Sequence, residues 1–515
     1  MRFLTCFRWY VLVSFFAFLP GGSLHAQPVS VTTWHNDNSR TGQNLSELGL
    51  NTSNVNSTQF GKLFSYAVDG QIYAQPLYVP SVSIPGLGTF NVLYIATEHD
   101  SVYAFDADGN HRTPLWHVSF INSNKGITSV STQNSPCDSL KPEVGITSTP
   151  VIDPSTNTLY VEAATSQNGR ESQRIHALDI STGAEKFGGP TLIQATVSGV
   201  VFDSTLIQRA SLLLADGVVY LGFASLCDPH PYHGWLIGYQ ANTLQQSSAL
   251  VTTPNGTRGG IWQSGAGPAA DRNNNIFVMD GDGTFDVNTG GVDYGMSMMR
   301  ISTSGNLEAQ DYFAPWNQAS LSNLDMDLGS GGVLLMPTQS GVHPNEAVAA
   351  DKEGKVFVVD RDDMGGFNPQ RNDIVQTLKT TAQGYFSTAA YAQQTIYYAG
   401  GNDSLCAYAV TNGKLSSLPT SRTAVTFGPG GATPSISANG ENAGIVWAIK
   451  VRSGQPAILY SFDAQNLTHE LYDSTQAGNR DKPGIGVKYT VPTIVNKKVY
   501  IGTQTEVDVY GLLGN

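Results

Sequence analysis

The chain has 515 residues, a formal net charge of -13 and only 13% charged residues. That acidity argues against nucleic acid or an anionic membrane surface as its main partner. Few charges and 54 glycines favour short strands and many turns over long, salt-bridged helices.

Residues 1–26 read as a signal peptide. Arg2 and Arg8 form the positive start, Trp9 to Leu19 the apolar run, and Pro20, Gly21 and Gly22 end it before a small residue, Ala26. The run is too short to span a bilayer comfortably, and no later stretch approaches about 18 apolar residues. A secreted or periplasmic protein with no membrane span is expected. Removing two arginines and no acids takes the charge from -13 to -15.

Residues 27–59 form a lead-in expected to pack on the outside, and Phe60 to Val68 is a spare strand. Behind it runs a degenerate repeat, whose clearest copies pair Val92-Leu-Tyr-Ile-Ala with Val102-Tyr-Ala-Phe-Asp106 and Thr158-Leu-Tyr-Val with Ile175-His-Ala-Leu-Asp179. An aromatic marks each copy: Tyr94, Tyr160, Tyr220, Phe277, Phe357, Tyr397, Trp447 and Tyr500, with Phe357 on a third strand rather than a second. Units near 50 residues with several short strands are the signature of propeller blades. The last unit stops one strand short, so pairing it with the spare strand would hide both open edges. The expected fold is all-β, a single eight-bladed propeller over 60–515 with four-stranded antiparallel blades; seven blades is the alternative.

In such blades the loop between the second and third strands and the link to the next blade share a face. Function is expected there, where irregular segments gather. Glu98-His99-Asp100 reads as a rim loop on that face. Asp280, Asp282, Thr284 and Asp286 alternate like the oxygen ligands of a calcium loop. Cys137 and Cys227 fall on the same face in neighbouring blades, where a bridge and two separate thiols are both open; Cys406 reads as a buried free thiol. No Gly-x-Ser-x-Gly elbow, phosphate loop or Cys-x-x-Cys pair occurs, which argues against those chemistries.

Trp34-His-Asn-Asp-Asn-Ser-Arg40, then Asn54-Val55 and Leu63-Phe-Ser-Tyr66, resembles the entry segment of the PQQ-dependent quinoprotein dehydrogenases. The run Ala177-Leu-Asp-Ile-Ser-Thr-Gly183 resembles that family's blade motif, shared with non-catalytic relatives. The resemblance is strongest from Arg258 to Arg361. It implies that Trp262, in Gly259-Gly260-Ile-Trp262, lies flat under the quinone. Asp282 would replace a calcium-binding Asn, Asp327 would be the catalytic base, and Lys352 would contact the quinone oxygens. Asp228 stands where a calcium-binding Glu is expected, and His233 where a basic residue is. Pro136-Cys137-Asp138 replaces the paired cysteines of the alcohol-oxidising members.

The resemblance implies an oxidoreductase that uses PQQ and calcium on a small alcohol or sugar. With no Cys-x-x-Cys-His haem attachment, electrons would leave to a separate acceptor. The alternative is a non-catalytic propeller that binds protein or carbohydrate on its loop-rich face. The first reading predicts one connected pocket holding Trp262, Asp282, Asp327 and Lys352. The second predicts those side chains spread apart or salt-bridged to each other.

Overall fold

The computed structural model describes residues 29–137, 140–440 and 442–514; the expected signal peptide and Asp138 lie outside them. Eight antiparallel sheets form eight blades: 77–119, 151–192, 213–251, 269–313, 334–379, 390–426, 435–473 and 493–512. The eighth is completed by Phe60–Ala67, which pairs antiparallel with Glu506–Leu512. The ring is thus closed by the strand that the last repeat lacks, and each end of the chain covers the other's sheet edge. Among the described residues no helix is long and apolar enough to cross a membrane.

The repeated aromatics have a common task. Tyr94 donates its hydroxyl to the Ile180 carbonyl of the next blade at 2.9 Å, Tyr160 to Ala241 at 2.9 Å, Tyr397 to Ala464 at 2.8 Å, and Tyr500 to Ala107 at 3.2 Å. Each accepting carbonyl directly follows a third strand. The ring of each tyrosine is buried in an apolar layer between blades, so one residue supplies packing and a satisfied polar tip. Where the marker is Phe277, packing alone remains.

The lead-in does not pack on the outside. Residues 31–44 run round the axis and hydrogen-bond the innermost strand of every blade in turn. Val31 pairs with Tyr78, and Thr32 accepts from the Ile152 amide at 2.8 Å. Asn38 reaches Leu214 with its side chain and Ala270 with its carbonyl. The carbonyls of Ser39, Thr41 and Gly42 accept from Leu335, Tyr391 and Ile436, and the Asn44 amide reaches Ile494. Arg40 is fully buried at the centre. Its guanidinium donates to the carbonyls of Pro268 at 2.7 Å, Trp34 at 2.9 Å and Leu212 at 3.4 Å, and to Thr33 Oγ1 at 2.7 Å. Burial pulls its pKa down to about 10, so it stays a cation at neutral pH. Gly42 sits at φ +70° with the His35 ring 2.2 Å from where a Cβ would be, so no other residue fits there.

Arg40→Met keeps the length and removes the donors, leaving several buried carbonyls unpaired. We expect a loss of about 3–5 kcal/mol in chemical denaturation, with Arg40→Lys between. A change within about 0.5 kcal/mol, as for an ordinary surface site, would contradict this account of the axis.

Candidate functional site

Three loops on one face of the ring cross beside the axis. They are 258–262, which leads into blade 4; 280–283, which follows that blade's second strand; and 325–331, which leads into blade 5. They interlock through backbone bonds: the Gly259 amide to Asp282 O at 2.8 Å and the Gly281 amide to Gly260 O at 3.0 Å. Gly259 lies at φ +75°, with Thr252 Oγ1 2.6 Å from where a Cβ would be. At Gly283 a Cβ would lie 2.6 Å from the Gly259 amide nitrogen, so glycine there lets the two backbones approach.

Between these loops opens a cavity of about 440 Å³, within the range of small-molecule sites. All five residues singled out in the sequence line it: Asp228, Trp262, Asp282, Asp327 and Lys352. Asp327 Oδ1 accepts from the Asp282 amide at 2.9 Å, and its Oδ2 lies 2.5 Å from Lys352 Nζ. Lys352 also reaches Asp325 Oδ1 at 2.7 Å. Burial raises the Asp327 carboxyl to about 6, a rise that the Lys352 cation restrains. Asp282 is paired with Arg258, and burial raises it too, against the pull of that guanidinium. Trp262 meets Tyr489 edge to face at 5.7 Å.

Carboxylate oxygens of Asp282, Asp325 and Asp327 lie within 4.8 Å of one another. Three converging carboxylates are the donor set that a hard cation takes. Asp228 lines the cavity but is not in that trio; its Oδ1 accepts from Tyr232 at 3.0 Å. Asp325, two residues before Asp327, is the third acid. The alternating run of a calcium loop does not converge. Asp280 turns inward to the Ser297 amide at 2.7 Å and Asp286 to the Asp293 amide at 2.9 Å, so only Asp282 faces the site.

Cys137 and Cys227 are joined in a disulfide, Cα–Cα 5.7 Å, that forms part of the cavity wall, and Cys406 is a buried free thiol. Glu98 and Asp100 are buried rather than on the rim. His233 faces the Thr253 carbonyl at 2.9 Å. Phe386 and Lys488, which the sequence reading missed, complete the wall. Both lie in links between blades, so inspecting every such link would have found them.

No protein family model matches the chain, and no curated protein does. Solved structures do. The quinohemoprotein alcohol dehydrogenase of Comamonas testosteroni matches with TM-score 0.61 and 14% identity, over 95% of this chain and 81% of that one. One from Pseudomonas putida gives 0.59 and 13% over the same shares, and a europium-containing methanol dehydrogenase gives 0.60 and 13%, over 95% and 99%. The chain has the fold of the quinoprotein alcohol and methanol dehydrogenases, an eight-bladed propeller.

Proposed function

We propose that the cavity is the active site of an exported oxidoreductase that uses PQQ and a calcium-type cation to oxidise an alcohol or sugar. The observation that carries this reading is the meeting of Trp262, Asp282, Asp327 and Lys352, from three loop regions and one turn, in one cavity. The residues fit the cofactor by chemistry. Trp262 offers a flat apolar surface to a planar ring, Lys352 offers a cation to its oxygens, and the acidic trio offers oxygen to the ion. Bound there, PQQ supplies the sink for a hydride from the carbinol carbon.

The chain's own part is proton chemistry and orientation. Asp327 takes the hydroxyl proton as the carbon–oxygen bond becomes a carbonyl, and later gives it to water. Lys352 holds Asp327 ionised and fixes its carboxylate through Oδ2, while the Asp282 amide fixes Oδ1. The same ammonium lies where it can polarise an electrophilic oxygen. The two electrons then leave to a separate acceptor. Export is supported by the character of residues 1–26 and by a disulfide, which persists in oxidising compartments.

The pairing of Lys352 with Asp327 and of Arg258 with Asp282 favours the second reading, a binding platform for protein or carbohydrate without chemistry. Titrating PQQ into the mature protein separates the two. Saturable quenching of tryptophan fluorescence is expected, at least tenfold tighter with calcium and lost in Trp262→Ala and Lys352→Ala. No saturable quenching by folded protein would leave only the platform.

The base sets a second expectation. Asp327 works ionised, so kcat/KM in a dye-linked alcohol assay should fall on the acid side as that carboxyl takes up a proton, which burial favours and the Lys352 cation opposes. Asp327→Asn should lower kcat by about 10²–10⁴-fold with PQQ binding retained. A flat profile from pH 5 to 8, or an active Asn variant, would remove Asp327 from the chemistry.

A further inference from the structure

A separate hollow of about 290 Å³ lies at blade 7 and shares no lining residue with the cavity that holds Asp327. It opens between the loop 451–457, which joins that blade's second and third strands, and the link 474–483, which leaves its fourth strand for blade 8. Loops of these two kinds also build the candidate active site, so both openings are on one face of the ring. The two sides of the hollow are tied by backbone. The Ala457 amide donates to Gly484 O at 3.0 Å and the Gly486 amide to Gln455 O at 2.9 Å, and Pro456 pairs with Ile485. Ser474 is buried in the wall, its amide donating to Leu459 O at 3.0 Å and its hydroxyl oxygen accepting from the Leu459 amide at 3.1 Å. The pocket is thus formed before any ligand arrives.

Its lining carries one sign of charge. Lys450, Arg452 and Lys482 contribute three cations, and among the described residues no carboxylate lines the hollow. None of the three side chains has a hydrogen bond or ion pair with another described residue. The carboxylates nearest in sequence are already engaged. Asp473 accepts from the Thr475 amide at 2.7 Å, and Glu470 from the Gln476 side chain at 3.4 Å. Asp481 is buried and takes the Arg480 guanidinium at 2.7 Å and the Tyr472 hydroxyl at 2.9 Å. Burial and then the Arg452 charge lower the pKa of Lys450, as like charges held together do when no anion stands between them. The chain's net charge of -13 repels anions at long range, so an anion here is held by these three groups at contact.

The rest of the lining is of two kinds. Gln455 and Asn479 present side-chain amides, which donate to and accept from hydroxyl groups. Pro456, Ile458 and Pro483 present aliphatic surface, which suits the carbon-bound hydrogens of a ring. An inorganic anion would use the cations and leave both of these idle. The volume is near the lower end of small-molecule sites, room for one ring. We propose that the pocket binds an acidic sugar unit, its carboxylate on the cations, its hydroxyls on the amides and its ring against the aliphatic wall. This is a binding site apart from the oxidation, and it needs no cofactor.

Calorimetric titration of the mature protein with D-galacturonate, D-galactose and acetate tests it. Galacturonate has both the ring and the charge, and each of the others has one of them. Galacturonate is expected to bind at least tenfold tighter than either. That advantage should disappear in the double variant Arg452→Gln, Lys482→Gln and stay within threefold of the parent's in Arg452→Lys. Both substituted side chains are exposed, so the melting temperature should not move. Acetate as tight as galacturonate would reduce the pocket to a site for any anion and overturn the proposal. Galactose as tight as galacturonate, or an advantage that survives in the double variant, would overturn it too. The unit can come from a free sugar acid or from a chain. Trigalacturonate binding at least tenfold tighter than the monomer assigns it to a chain, and equal affinity to the free acid. A protein that binds PQQ but not galacturonate removes this site and leaves the oxidation standing, and the converse result removes the oxidation alone.

Discussion

The buried guanidinium of Arg40 is the contact on which this propeller's geometry turns. A ring of blades leaves the edges of its innermost strands facing the axis, and those backbone groups must be paired or reach water. Here thirteen peptide units of the lead-in serve all eight strands in chain order, and Arg40 ties the turn back on itself and onto blades 3 and 4. The contact also positions the site. Trp34, beside Arg40, packs on Ala266 and Val491, which lie in the same links as Trp262 and Tyr489. The cavity's walls are therefore referenced to the axis rather than to the outer rim of the ring.

Above that floor the chain concentrates charge where solvent is scarce. Asp282 and Asp327 are both pushed up by burial, and each is answered by one cation, Arg258 or Lys352. Removing either cation would strand a buried carboxylate, a larger cost than the pair itself returns in stability. Such pairs are poor stabilisers but good positioners; here the Lys352 pair fixes Oδ2 of Asp327, and the Asp282 backbone amide fixes Oδ1. The same geometry leaves Asp325 exposed on one side, so a cation entering the trio need not displace Lys352 from Asp327 to find its first oxygen.

The blades were legible because the signal repeats. A tyrosine on the second strand and a turn after the third are the two halves of a latch between neighbours, and the ring needs them again and again. The site was legible where a local pattern carried it, as at Gly259 to Trp262 and at Asp327. Long-range backbone pairing has no such trace. Arg40 bonds carbonyls 172 and 228 residues away, and a carbonyl looks the same whatever residue bears it, so the lead-in read as an outer strap. Asp228 misled for a related reason. Its neighbours put it on the right face, but whether its oxygen points to the cavity or to Tyr232 depends on a backbone at φ +50°, which composition does not reveal. Lys488 stands alone in its link, with no motif around it.

That unusual backbone is not confined to Asp228. Cys227, Arg258, Asp325 and Tyr489 also hold positive φ between +55° and +68°, and each lies in or beside the cavity. Non-glycine residues there cost of order 1 kcal/mol or more apiece, so the rest of the fold must hold them. The means are visible around each: the disulfide at Cys227, the Asp282 pair and the bond to Tyr232 O at Arg258, the Lys352 pair at Asp325, and the stacked Phe386 ring and the Arg209 guanidinium at Tyr489. None of these supports is needed to close an eight-bladed ring, since the latches and the axial turn do that without them. Positive φ also occurs at other non-glycine positions along the chain; at Cys227, Asp228, Arg258, Asp325 and Tyr489 it is braced by contacts that hold side chains in or beside the cavity. The shape held in this way is the wall of the cavity that Trp262, Asp282, Asp327 and Lys352 share.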